Sequence, residues 1–214
     1  MKSIFRLSTA AMLMAVALGC GPRIMVPPKI DLTQHEVIGI IKFKSSNEGE
    51  LGPLATKKFM EAIRRDQEMV RIVELGSEDD VLNAVNSDKL DQTTYKALGE
   101  KHEVITIFTG ELIVSDVRPD ITIAPLFGHM DFSAEVDAIL NAQMVETTTG
   151  ASIWSGSASA TKQIGEVSIF GGKYFVFDAE NPDRAYGKLV DELIEKVTKD
   201  FRVTWKREQG KKLP

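Results

Sequence analysis

The chain has 214 residues, 43% of them hydrophobic and 27% charged, with a formal net charge of −5. An acidic balance of this size gives no broad electrostatic ground for binding nucleic acid, and the lone cysteine, Cys20, excludes an internal disulfide framework and a cysteine-built zinc site. A chain of this length buries a full core without covalent staples, so one globular domain held by packing is expected.

Lys2 and Arg6 precede an apolar run, Leu7 to Leu18, too short to span a bilayer stably, which leads through small residues into Cys20. A secretory signal over 1–19 is expected. Val16-Ala17-Leu18-Gly19-Cys20 resembles the lipobox of bacterial lipoproteins, with Ala17 at the usual leucine position. The resemblance implies that Cys20 is lipidated on its thiol and becomes the first residue of the mature chain, whose formal charge is then −7. Ordinary signal cleavage nearby, leaving Cys20 as an unpaired thiol, is the plainer alternative. Gly21 after the cysteine, rather than an aspartate, resembles lipoproteins passed on to the outer membrane, with the domain facing the periplasm.

Residues 20–34 carry Pro22, Pro27 and Pro28 with little periodicity and read as an extended tether. Val37-Ile38-Gly39-Ile40-Ile41 is a continuous apolar run that suits a strand buried on both faces. After a loop over Ser45 to Gly52, Pro53 sits in a first helical turn, and Leu51, Ala55, Phe59, Ala62 and Ile63 recur at helical spacing. Lys57, Lys58, Arg64 and Arg65 fall off that stripe and form either a basic patch or a solvated helix face. A second strand is expected over Met69 to Leu75. A helix follows, capped by Ser77 with Glu78, Asp79 and Asp80 in its first turn, and then a third over Thr93 to His102 with Tyr95 and Leu98 inward.

From Val104 the helical spacing stops for a long stretch. Val104 to Leu112 reads as a strand, and Asp131 to Glu146 alternates: Phe132, Ala134, Val136, Ala138, Leu140, Ala142 and Met144 share one face, with Asp131, Ser133, Glu135, Asp137, Asn141 and Gln143 on the other. Thr147 to Gly150 supplies a turn, and Ile153 to Thr161 returns as the partner strand. Asn181, Pro182 and Asp183 then open a helix in which Ala185, Leu189, Leu193, Val197 and Phe201 repeat every four residues, widened by Tyr186, Val190 and Ile194. Residues 202–214 form a basic tail: Arg202, Lys206, Arg207, Lys211 and Lys212 against Glu208, with Trp205 among them. A frayed soluble terminus and a contact with anionic headgroups or an acidic partner both suit it.

The expected architecture over 35–201 is therefore α/β: a single mixed sheet, with parallel βαβ crossovers followed by an antiparallel meander, flanked by helices and closed by the long C-terminal helix. This order, with Tyr95-Lys96-Ala97-Leu98-Gly99 leading into Val104 to Gly110 and with Glu146 to Trp154 around a threonine-glycine turn, resembles one family group. Its members are the curli-export lipoprotein, the lipoprotein activators of penicillin-binding proteins, and the amino-terminal domain of the Tol-Pal system's periplasmic component. The resemblance implies an envelope protein that binds or assembles with other proteins, without catalytic residues and without a cofactor.

In the curli pore two inserted hairpins build a barrel, and the corresponding stretches here are Val114 to Met130 and Lys162 to Asp178. A membrane strand needs about 9–11 alternating residues. Pro119 and Pro125 in the first stretch donate no ladder bonds, and the arms of the second are too short, so neither is expected to span. The second still reads as a hairpin about Gly171 and Gly172 that presents Phe170, Tyr174, Phe175 and Phe177 to a protein partner, or folds over the core.

Other chemistry is weakly signalled. Gly49 to Lys58 lacks the Gly-Lys-Ser/Thr ending of a phosphate loop. Ser159-Ala160-Thr161-Lys162 matches a Ser-x-x-Lys string but lies on a strand, where its two polar groups are not brought together. His35, His102 and His129 stand apart from one another, with no metal-ligand spacing. Glu135 and Asp137 share a strand face and form either a carboxylate pair or part of a solvated sheet surface. The expected role is a non-catalytic binding or assembly factor of the cell envelope, held at the outer membrane by lipid and working with an envelope protein partner. A homo-oligomeric export component and an enzyme are the alternatives.

Overall fold

The computed structural model describes residues 23–123, 130–165, 168–170, 174–177 and 179–207. It divides into two units. The smaller pairs β1 (Arg23–Val26) with β10 (Thr204–Arg207) as an antiparallel ribbon, with Met25 opposite Trp205. The basic tail read from sequence is thus partly a strand. The larger unit runs from Ile30 to Phe201. Leu32 is fully buried within it and Ile30 packs on its core, so the globular unit begins ahead of residue 35.

The sheet of this larger unit is built from β2 (Val37–Ile41), β3 (Lys44–Ser45), β4 (Arg71–Gly76), β5 (Thr106–Ile123), β6 (Met130–Glu146) and β7 (Ser152–Gly165), in the order β4-β2-β5-β6-β7, with β3 also on β5. β2 lies parallel to β4 and β5, whereas β5, β6 and β7 form an antiparallel meander. The mixed α/β sheet expected from the sequence is the one observed. α1 (Leu51–Asp66) and α4 (Pro182–Val197) cover one face, and α2 (Glu78–Val85) and α3 (Gln92–His102) cover the other beside β2 and β5.

Local chemistry sets the helix ends. Ser77 and Asp80 form a reciprocal capping box on α2, the Asp91 carboxylate accepts from Thr94 N–H at 3.0 Å, and Asn181 Oδ1 accepts from Arg184 N–H at 3.1 Å, with Pro182 in the first turn of α4. α4 stops at Val197. Its expected continuation to Phe201 tightens into a 3-10 turn, Thr198–Phe201, in which the Thr198 hydroxyl donates to Ile194 O at 2.7 Å. β4 starts at Arg71 because Met69 has φ +68° and is 94% exposed, which makes it a turn residue.

The larger core lies under α1 and α4. Phe43, Phe59, Phe108, Trp154 and Phe201 meet edge to face there, with centroids 4.6–6.2 Å apart. At its margin Gln67, buried, accepts from Leu32 N–H at 3.0 Å and donates to Ile30 O at 3.0 Å and Phe201 O at 2.6 Å. One side chain therefore closes the first and last turns of the unit onto the end of α1.

β5 departs from expectation. Its ladder with β6 continues past Pro119 to Ile123 opposite Met130. β2 and β3 reach only to Leu112 on its other side, so beyond that point β5 has a single neighbour among the described strands, and an edge strand tolerates proline. A bulge lies between Val114 and Asp116. The extra residue shifts side-chain parity, so Val114 and Val117 both pack on the core while Asp116 and Arg118 point to the opposite face.

Candidate functional site

Among the described residues, helix covers β7 and most of β6 on one side only. The alternation that sends Ala138, Leu140, Ala142, Ala158 and Ala160 into the core leaves a polar face of the meander open on the other side. Register sets its rows: Thr109, Gln143 and Ser155 in one, Glu111, Asn141 and Ser157 in the next, then Ile113, Ile139 and Ser159, then Asp137 beside Thr161, and beyond them Arg118, Glu135 and Gln163. Ser157 Oγ donates to Asn141 Oδ1 at 2.8 Å.

Where this face meets α2 and α3 there is a groove of about 850 Å3, lined by Thr109, Glu111, Asn141, Gln143, Ser155 and Ser157 from the sheet and by Glu78 and Tyr95 from the helices. Lys44 Nζ lies 2.6 Å from Glu78 Oε1 at its rim. Burial first, and then the charge of Glu78, raises the Tyr95 phenol pKa, so its hydroxyl stays protonated. The groove thus offers hydroxyl, amide and carboxylate groups on a rigid strand surface, a chemistry of hydrogen-bonded recognition.

The far end of the face is knitted by Arg118. Its guanidinium reaches Asp116 and Glu135 at 2.5 Å and Asp137 at 2.9 Å, and the Thr161 hydroxyl donates to Asp137 at 2.5 Å. Hydrogen bonds from Arg118 and then Thr161 hold the Asp137 carboxyl below its usual range, and its carboxylate partners bind the arginine proton more firmly. Glu135 and Asp137 do share a face, as the alternation indicates, but an arginine sits between them. Arg118 was not legible as their partner because the bulge resets the parity of β5.

The remaining sequence candidates separate. Ser159 is on the open face of β7 and Lys162 on the helix side, since their spacing is odd; Lys162 instead pairs with Glu192 of α4 at 2.7 Å. His35 Nδ1 is 2.9 Å from Thr106 Oγ1, and burial lowers its pKa. His102 Nε2 is buried with no hydrogen-bond partner among the described residues. His129 lies outside the described residues, and among those described no His, Cys, Asp and Glu group could hold a metal ion. Of the basic residues on α1, Lys58 pairs with Asp183 at 2.6 Å and Asp191 at 3.1 Å on α4, Arg65 pairs with Asp66, and Arg64 donates to Ile72 O. They serve internal contacts.

Cys20, Gly171 and Gly172 lie outside the described residues. β8 (Ser168–Phe170) and β9 (Tyr174–Val176) form the hairpin ladder, with Phe170 opposite Tyr174 and Ile169 opposite Phe175. Phe177, at its base, is fully buried against Tyr186 with ring centroids 5.6 Å apart, so it belongs to the core rather than to a presented surface. The Phe177 backbone accepts from Glu50 N–H at 2.7 Å and donates to Glu48 O at 3.1 Å. Gly49, at φ +116°, permits this clamp; a Cβ there would lie 2.1 Å from Phe177 O.

A mixed sheet with helices on both faces of its parallel half and one face of its meander left open defines the class of fold. No family model matches the chain, and no curated protein sequence matches it. Among solved structures it is similar to the PelC dodecamer from Paraburkholderia phytofirmans, at 12% identity and TM-score 0.46, over 86% of this chain and 98% of that one. It is also similar to the LpoB C-terminal domain from Salmonella enterica, at 11% identity and TM-score 0.36, over 63% and 84%. A third is the lipoprotein GNA1162 from Neisseria meningitidis, at 16% identity and TM-score 0.35, over 59% and 83%.

Proposed function

We propose that the chain is a lipoprotein of the outer membrane, anchored through Cys20 with its domain in the periplasm, and that it acts without catalysis as a binding or assembly factor for cell-envelope machinery. The observation that carries this reading is the open polar face of β5–β7 with its flanking groove. A sheet surface rich in hydrogen-bonding groups and left without a helix suits recognition of another protein, and its polar character suits a partner that comes and goes in water. The lipobox-like sequence ending at Cys20 supports the address. In the groove, the protonated Tyr95 hydroxyl, the Asn141 and Gln143 amides and the serine hydroxyls serve as donors and acceptors for a partner's backbone.

Photo-crosslinking residues placed at Gln143 and Ser157 test the reading in intact cells, with Lys188 on the exposed side of α4 as the comparison. A discrete protein adduct from the sheet positions and none from Lys188 is expected. Equal adducts from all three positions, or none from the sheet, contradict it.

A second reading, a ring-forming export component, is favoured by one observation: the β5–β6 ladder runs past Pro119 to Ile123, so the proline does not end the hairpin. It predicts a symmetric homo-oligomer in detergent with channel conductance. A monomeric mass sinks it.

A further inference from the structure

The β1–β10 ribbon has a surface that the function proposed above does not use. Its register pairs Met25 with Trp205 and Ile24 with Lys206. Side chains alternate across a strand, so Met25 and Trp205 share one face with Arg23, two positions along from Met25. Met25 is 59% exposed, Trp205 63% and Ile24 49%, and Arg23 and Lys206 are exposed as well. A two-stranded ribbon is marginal in water by itself and gains from a surface that takes up its apolar side chains. The chain as a whole is acidic at −5, yet this ribbon places Arg23 on the face of its apolar pair.

An exposed tryptophan and methionine with an arginine on the same face match the water–lipid boundary. The indole lies at headgroup level, the thioether reaches the acyl chains, and the guanidinium meets phosphate. Arg23 follows Cys20 by three residues, a reach of at most about 10 Å. We propose that the β1–β10 ribbon is a membrane-docking element that lays Met25 and Trp205 into the surface of a bilayer containing anionic phospholipid, with Arg23 on its headgroup phosphates. The docking adds an orienting contact to whatever anchor Cys20 supplies, and it does not depend on that anchor.

The test uses protein purified from envelopes, mixed with phosphatidylcholine vesicles that carry brominated acyl chains, with or without about 30% phosphatidylglycerol. Trp154 is buried and supplies a constant emission, so the change reports Trp205. Docking predicts quenching that increases with phosphatidylglycerol, reverses in high salt and disappears in Trp205→Phe. Neutralising the cation on the docking face, in Arg23→Gln, is expected to lower partition roughly fivefold, the equivalent of about 1 kcal/mol per basic residue at an anionic surface. Intact mass reports acylation separately. A lipidated chain whose Trp205 is quenched no more with phosphatidylglycerol than without overturns the docking and leaves the anchor. An unlipidated chain with anionic-dependent quenching supports the docking and overturns the anchor, and an unlipidated chain without quenching overturns both.

Discussion

Gln67 shows how much a single polar side chain can hold in this protein. Its amide occupies three backbone groups at the point where the first turn, the end of α1 and the last turn converge, and it is buried. Truncation leaves those groups without a partner in a place water reaches poorly, at about 1–3 kcal/mol per unsatisfied group. Gln67→Ala is expected to lower unfolding free energy by about 2–4 kcal/mol, read as a fall in the urea midpoint with unchanged slope; an unchanged midpoint contradicts the role. Nothing in the sequence marks Gln67, since its partners are far away along the chain. Arg118 is hidden for a different reason: the bulge before it places on the open face a residue that strict alternation from Leu112 assigns to the core.

Glu192 ties β7 to α4. It accepts from Lys162 and Lys196, both at 2.7 Å, and these hydrogen bonds, Lys162 first, pull its pKa from 4.5 to about 2. A carboxyl depressed by folding stabilises the native state above its unfolded pKa, and that contribution is lost as pH falls through the folded value. The wild type is therefore expected to exceed Glu192→Gln in stability at pH 6, with the gap closing between pH 4.5 and about 2. A gap that persists at pH 2 places the effect elsewhere.

Among the elements, α4 was the most legible. Its cap, its proline and its apolar repeat each point to the same helix, and Leu193 and Val197 are buried as the repeat requires. Leu193→Asp places a carboxylate among apolar neighbours and is expected to abolish cooperative thermal unfolding; a melting transition like that of the wild type contradicts the burial. β6 was equally readable, because its polar and apolar residues alternate along most of its length, Ile139 and Val145 excepted, and with it Glu135, Asp137, Asn141 and Gln143 of the candidate site. The groove was not readable. It depends on where α2 and α3 lie over the sheet, which is a matter of tertiary placement rather than of local pattern. The ribbon escaped for the same reason, since its two strands lie at opposite ends of the chain.

At the level of the whole molecule, the sheet is asymmetric in a way that separates stability from recognition. Aromatic packing gathers on the side of α1 and α4, where Lys58 joins the two helices. Among the described residues, the opposite side of the meander carries no comparable apolar cover and presents hydroxyls, amides and carboxylates on strands. Sites borne on strands hold their geometry without help from a ligand, which suits the binding role proposed. The native mass of the envelope-purified, detergent-solubilised chain bears most directly on the proposed function. The prediction is an acylated chain in complex with a second, different protein. An unacylated monomer contradicts the anchor and the partnership together, and a symmetric homo-oligomer contradicts the assembly-factor role in favour of the export ring.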